Sequence, residues 1–110
     1  MRKAPHEEQH RADDALLVDH FLGLERGTTR MGLAGKVLTS GDVAWCLDRG
    51  ADFVSVGTAA IIHHDFAARV LADRSFASLP QPVSREHLAA ERVGPRFVDY
   101  LARGWDDFVA

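Results

Sequence analysis

Apolar and polar positions change period along the chain. Between residues 12 and 24, Ala12, Ala15, Leu16 and Asp19 share one stripe, and Leu17, Phe21 and Leu24 continue a neighbouring one. That spacing predicts a helix with an apolar side. Asp13 and Asp14 stand near its front, where the helix dipole favours anions, and Gly27-Thr28-Thr29 ends it. The stripe is short and interrupted. Residues 1–30 therefore read either as an amphipathic helix packed on the rest or as a poorly ordered leader.

Residues 31–72 predict strand, helix, strand, helix. Met31-Gly32-Leu33-Ala34 is a Gly-interrupted strand, followed by a turn at Gly35-Lys36. Thr39 or Ser40 caps a short helix with Asp42 in its first turn and Val43, Ala44 and Leu47 on its buried stripe. Gly50 stands where a left-handed residue ends that helix. Asp52-Phe53-Val54-Ser55-Val56-Gly57 is the clearest strand, β-rich and closed by glycine. A second helix is expected from Thr58 to Ile62, continuing through Phe66–Leu71. Strand–helix–strand is a βαβ unit, the builder of parallel sheets.

Residues 73–110 change character. Leu79-Pro80-Gln81-Pro82 forbids helix or central strand. Ser84 caps a short helix, Gly94-Pro95-Arg96 breaks the chain, and Phe97-Val98-Asp99-Tyr100-Leu101 begins another. Trp105 and Phe108 serve as apolar anchors, and the segment reads as a tail draped over a larger body.

The length of 110 residues allows one domain. Apolar residues make up 46% and charged residues 26%, values of a globular chain rather than a disordered one. A net charge of -3 argues against nucleic acid or an anionic membrane as the main partner, since both need a basic face. Cys46 stands alone, so an internal disulfide and a Cys-rich zinc site are excluded. The start, with His6-Glu7-Glu8-Gln9-His10-Arg11, lacks the apolar segment of an export signal, and no apolar run nears the ~20 residues of a membrane span. A cytoplasmic location is the expectation.

The chemistry concentrates in two glycine turns. Gly35-Lys36 and Gly57-Thr58 each end a strand just ahead of a helix. Glycine permits close approach there, and main-chain amides and the helix dipole favour an anion. Lys36 adds a charge and Thr58 a hydroxyl. In (β/α)₈ barrels a phosphate binds at the loops after strands seven and eight, and two such turns separated by one helix fit that arrangement. On spacing alone, two ordinary βα turns without a ligand fit it as well.

Gly35-Lys36-Val37-Leu38-Thr39, Asp42-Val43, Gly50-Ala51-Asp52-Phe53-Val54-Ser55-Val56-Gly57, Ala59-Ala60-Ile61 and Asp65-Phe66 together resemble the C-terminal part of the NADH:flavin oxidoreductases of the old yellow enzyme family. The tail from Val83 to Val109, with Gly94-Pro95-Arg96-Phe97-Val98-Asp99-Tyr100 and Trp105, resembles the end of some members. The likeness implies a fragment of an FMN-binding (β/α)₈ TIM barrel over residues 31–110. It also implies FMN phosphate held at Gly35, Lys36, Gly57 and Thr58, and hydride transfer from a reduced nicotinamide to an activated alkene or similar acceptor in the intact enzyme.

This chain departs from the pattern. Thr58 stands where the family usually has an arginine and cannot supply its bidentate charged contact. Lys36 stands where a second glycine is frequent and partly replaces that charge. A whole barrel needs ~250 residues. The family's catalytic side chains come from earlier strands and have no counterpart here, so the isolated chain is not expected to be active. The unfinished strand edges predict self-association or a complementing chain. Two other readings stand: an interaction fragment using Trp45, Phe97, Tyr100, Trp105 and the strand edge, and another phosphate-binding barrel such as a dehydrogenase of pyrimidine metabolism.

The remaining candidates read as structural. His6 and His10 have i,i+4 metal-ligand spacing but no evident third ligand. His63 and His64 diverge as neighbours, with His64 and Asp65 expected to cap and meet solvent. His87 reads as helix surface, Cys46 as a buried inert thiol, Asp106-Asp107 as a solvated pair, and Trp45 and Phe53 as core or interface.

Overall fold

The computed structural model describes residues 17–110. The expectations for His6, His10, Ala12, Asp13, Asp14, Ala15 and Leu16 lie outside the described residues. The fold mixes helices with one two-stranded parallel sheet. It runs β1 (Gly32–Ala34), α1 (Ser40–Asp48), β2 (Phe53–Ser55), α2 (Thr58–Ile62), α3 (Phe66–Ala72), α4 (Arg85–Ala90) and α5 (Pro95–Gly104). β1 pairs with β2 in the register Gly32 to Phe53, Leu33 to Val54 and Ala34 to Ser55. The expected βαβ unit is therefore present, with α1 as its crossover.

Local chemistry explains why these elements form. Thr39 and Asp42 make a reciprocal capping box: the Asp42 amide donates to Thr39 Oγ1 (2.9 Å) and the Thr39 amide to Asp42 Oδ2 (3.2 Å). Asp42 Oδ2 also accepts the Leu38 amide at 3.0 Å, fastening the loop after β1 to the front of α1. Gly50 follows α1 with φ +105°, the backbone that favours glycine. Asp52 anchors the start of β2: its carboxylate accepts the Met31 amide (2.8 Å) and pairs with Arg26 (3.0 Å).

Two apolar clusters result. Val37, Cys46, Ala51, Ala59 and Phe66 form one beneath the βα half. Ile62, Val83, Leu88, Val98, Leu101 and Phe108 form the other in the helical half. Residues 73–110 are thus more than a draped tail, because they close a core around Ile62 of α2. The Val83 amide donates to the Phe108 carbonyl (2.9 Å) and the Ala110 amide to the Val83 carbonyl (2.8 Å), closing it. Phe108 is an anchor as expected, but Trp105 is about half exposed and rests edge-on against Tyr100.

Three further expectations are corrected. The helix expected to run from Thr58 through Leu71 is broken at His63, whose backbone is extended, so that α2 and α3 point Ile62 and Phe66 into different cores. The helix of the leader ends at residue 22, before Gly27; Gly23 donates back to Asp19 (3.0 Å). Its Leu17, Phe21 and Leu24 remain exposed rather than packed, and Arg49 Nη1 ties it down by donating to both Asp19 carboxylate oxygens (2.7 and 2.8 Å). Of the two readings of Phe53, core or interface, the core one is corrected: the ring is half exposed and covers Gly32.

Candidate functional site

The two glycine turns meet. The parallel pairing of β1 and β2 carries Gly35-Lys36 and Gly57-Thr58 to the same sheet end, where they line one open groove of about 480 Å³. All four predicted site residues lie on it. Ser55 and Gln81 complete its polar lining, and Ala34, Val37, Leu38 and Val56 its apolar walls. Among the described residues no carboxylate lines it, and Lys36 is the charged residue on it. Among the described residues neither the Lys36 ammonium nor the Thr58 hydroxyl makes a side-chain hydrogen bond or ion pair.

Backbone shape matters at the first turn. Gly35 (φ +105°) and Lys36 (φ +56°) are consecutive left-handed residues, so a side-chain-bearing residue sits where glycine is the easy choice. A Cβ at Gly35 or Gly57 would meet no protein atom within 4 Å, so crowding by the chain itself demands neither glycine. The donor set of a lysine, two hydroxyls, an amide side chain and bare glycine loops fits a phosphate monoester such as that of FMN. It does not fit a metal cation.

Gln81 was not singled out in the sequence because a Pro-flanked glutamine carries no periodic signal. Its placement follows from the strap between the cores. Thr39 bridges Ala77, Ser78 donates to the Leu38 carbonyl (2.8 Å), and Leu79 donates to His63 Nε2 (3.1 Å). The Gln81–Pro82 peptide, which is cis, then turns the chain toward Val83.

Behind the groove lies a polar cluster. His63 is buried and Glu91 half-buried. Glu91 Oε2 accepts the His64 amide (3.2 Å) and contacts the His64 ring, while Glu91 Oε1 lies 3.9 Å from His63 Nδ1. The neighbouring histidines thus converge on one carboxylate instead of diverging. The His64 pair holds Glu91 below the usual carboxylate range. Asp65 caps nothing with its side chain; it binds Arg69 (2.9 Å), which holds its carboxyl low although burial pushes the other way. His87 is not plain surface: its Nε2 donates to the Ile62 carbonyl at 2.8 Å. Burial, and then Arg69, push His63 below the ordinary histidine value.

His63, His87 and Glu91 bring ligand-type atoms within 4.8 Å of one another. The hydrogen bonds oppose a metal between them. The Leu79 amide occupies the His63 Nε2 lone pair and leaves the proton of the neutral ring on Nδ1, the atom that faces Glu91. Cys46 is buried, as expected. No helix of the described residues is long and apolar enough to cross a membrane. No protein-family model, curated protein or solved structure matches the chain.

Proposed function

We propose that this chain is the phosphate-binding end of an FMN-dependent oxidoreductase of the old yellow enzyme type, a cytoplasmic piece of a (β/α)₈ barrel. The observation that carries the reading is the meeting of Gly35-Lys36 and Gly57-Thr58 on one groove, at the end of two parallel strands and free of carboxylates. Lys36 supplies charge, Thr58 a hydroxyl donor, and the glycines allow the phosphate close approach. FMN, when bound, would supply hydride-transfer chemistry between a reduced nicotinamide and an acceptor. This chain's own residues hold and orient the phosphate end. The nicotinamide and acceptor contacts would come from strands other than these two.

Titration of the purified protein with FMN, followed by flavin fluorescence, tests the reading. Quenching by FMN, weaker quenching by riboflavin and competition by inorganic phosphate are expected. No FMN-dependent change at high micromolar concentration removes it.

A second reading rests on a separate observation. β1 and β2 pair only with each other among the described residues, and Phe53, Phe97, Tyr100 and Trp105 are about half exposed. Such a surface suits an interaction fragment that pairs with itself or a partner. An FMN-independent dimer in size-exclusion chromatography with light scattering favours it.

A further inference from the structure

The strap that brings Gln81 to the groove is held at few points. Pro80 and Pro82 have no N–H to give. Between the Ser78 bond to Leu38 and the Val83 bond to Phe108, the Leu79 amide makes the one main-chain donation recorded among the described residues, and its acceptor is a side chain, His63 Nε2. His63 is 4% exposed, and its rim is fixed by Phe76 and His87, both edge-on at 5.3 and 5.6 Å. Its Nδ1 has no hydrogen-bond partner. Among the described residues the ring therefore makes one hydrogen bond, with Glu91 Oε1 a longer 3.9 Å from Nδ1, and that bond needs a bare Nε2.

We infer that His63 is a positioning residue, a proton-sensitive latch whose neutral ring fastens the 79–82 strap and so holds Gln81 in the groove for a phosphate monoester. Protonation places a hydrogen on Nε2 opposite the Leu79 N–H, two donors facing each other, and the bond is lost. The strap is then released on its Leu79 side, and Gln81 is no longer fixed. The charged groups around the ring set when this happens. Burial opposes the proton most, with Arg69 and His87 acting the same way, whereas Glu91 and Asp65 favour it. His64, paired with Glu91 on the far oxygen, competes for the same carboxylate. The latch is thus closed at neutral pH and opens on acidification. As a device for phosphate binding it rests on the flavin reading; as a conformational device it does not.

The test uses the intact chain. Nitrogen-15 shifts of the His63 ring and the hydrogen-exchange protection of the Leu79 amide are followed between about pH 8 and about pH 5, the range over which histidines titrate. FMN and riboflavin affinities are measured over the same range. Expected are a bare Nε2 at the alkaline end, and loss of Leu79 protection in step with His63 protonation. FMN affinity should fall together with them, while riboflavin affinity stays flat. Gln81→Ala should weaken FMN binding by about 5- to 10-fold, the worth of one hydrogen bond, and should abolish the added acid sensitivity. A proton on Nε2 at about pH 8, or Leu79 protection that survives His63 protonation, overturns the latch. If the latch titrates as described but FMN does not bind at about pH 8, the flavin reading is lost and the latch stands.

Discussion

The βα half and the helical half of this molecule are built to different degrees of closure. In the helical half, Ile62 and Leu88 are fully buried, and residues 83 and 108–110 are laced together by main-chain bonds. In the βα half, no large side chain among the described residues is completely enclosed, the sheet has two strands, and Leu38, Leu47 and Phe53 are partly exposed. The lesson is that stability and binding chemistry are segregated. The closed half holds the chain together, and the open half presents the groove.

The sharpest way to break this comparison is a pair of truncations. Leu88→Ala removes a fully enclosed side chain from the closed half and should cost about 3 kcal/mol in urea unfolding. Phe53→Ala removes a larger group from the open half and should cost less than about 1 kcal/mol, because half of it already meets water. Equal costs would show that the two halves are equally closed.

Acid should strike the joint between the halves before either interior. The folded state depresses His63, so its neutral form contributes stability that is present above the ordinary histidine value of about 6.5 and is lost as pH falls through the lower folded value. Glu91 and Asp65, held low by His64 and Arg69, contribute above the ordinary carboxylate range and lose that contribution at still lower pH. Thermal melts across pH should therefore show two successive losses, with His63→Gln removing the first. A single loss confined to the carboxylate range would contradict this order.

A smaller effect separates binding from folding in the open half. Lys36→Gly relieves a left-handed backbone and removes the groove's charge. Stability should rise by up to about 1 kcal/mol while FMN affinity falls about tenfold. Last, Arg49→Ala breaks the pair with Asp19 and the stacking over Trp45 (4.3 Å), and should shift stability by less than about 1 kcal/mol. A larger shift would mean that the segment before β1 is integral to the open half.

Much of this was legible in the sequence because the signals were local. The Thr39–Asp42 box, Gly50, the β2 run and the Ser84 cap each depend on neighbours within a few residues, and each formed; Ser84 accepts the His87 amide at 3.0 Å. Placing all four predicted groove residues together needed only one further rule, the right-handed parallel crossover. What stayed hidden depended on distant partners. The helix breaks at His63, whose ring is engaged by the Leu79 amide sixteen positions on. His87 turns inward because the Ile62 carbonyl needs a donor. Gln81 reaches the groove through a strap whose anchors come from both halves. Phe53 has strand chemistry but no neighbouring layer to cover it, so β-propensity did not become burial.

Ile62 and Phe66 are four residues apart yet belong to separate interiors, and the groove borrows Gln81 from the strap that spans them. On the phosphate reading, an anion seated there would fasten the two interiors across a seam, and saturating ligand should raise the melting temperature and sharpen the transition.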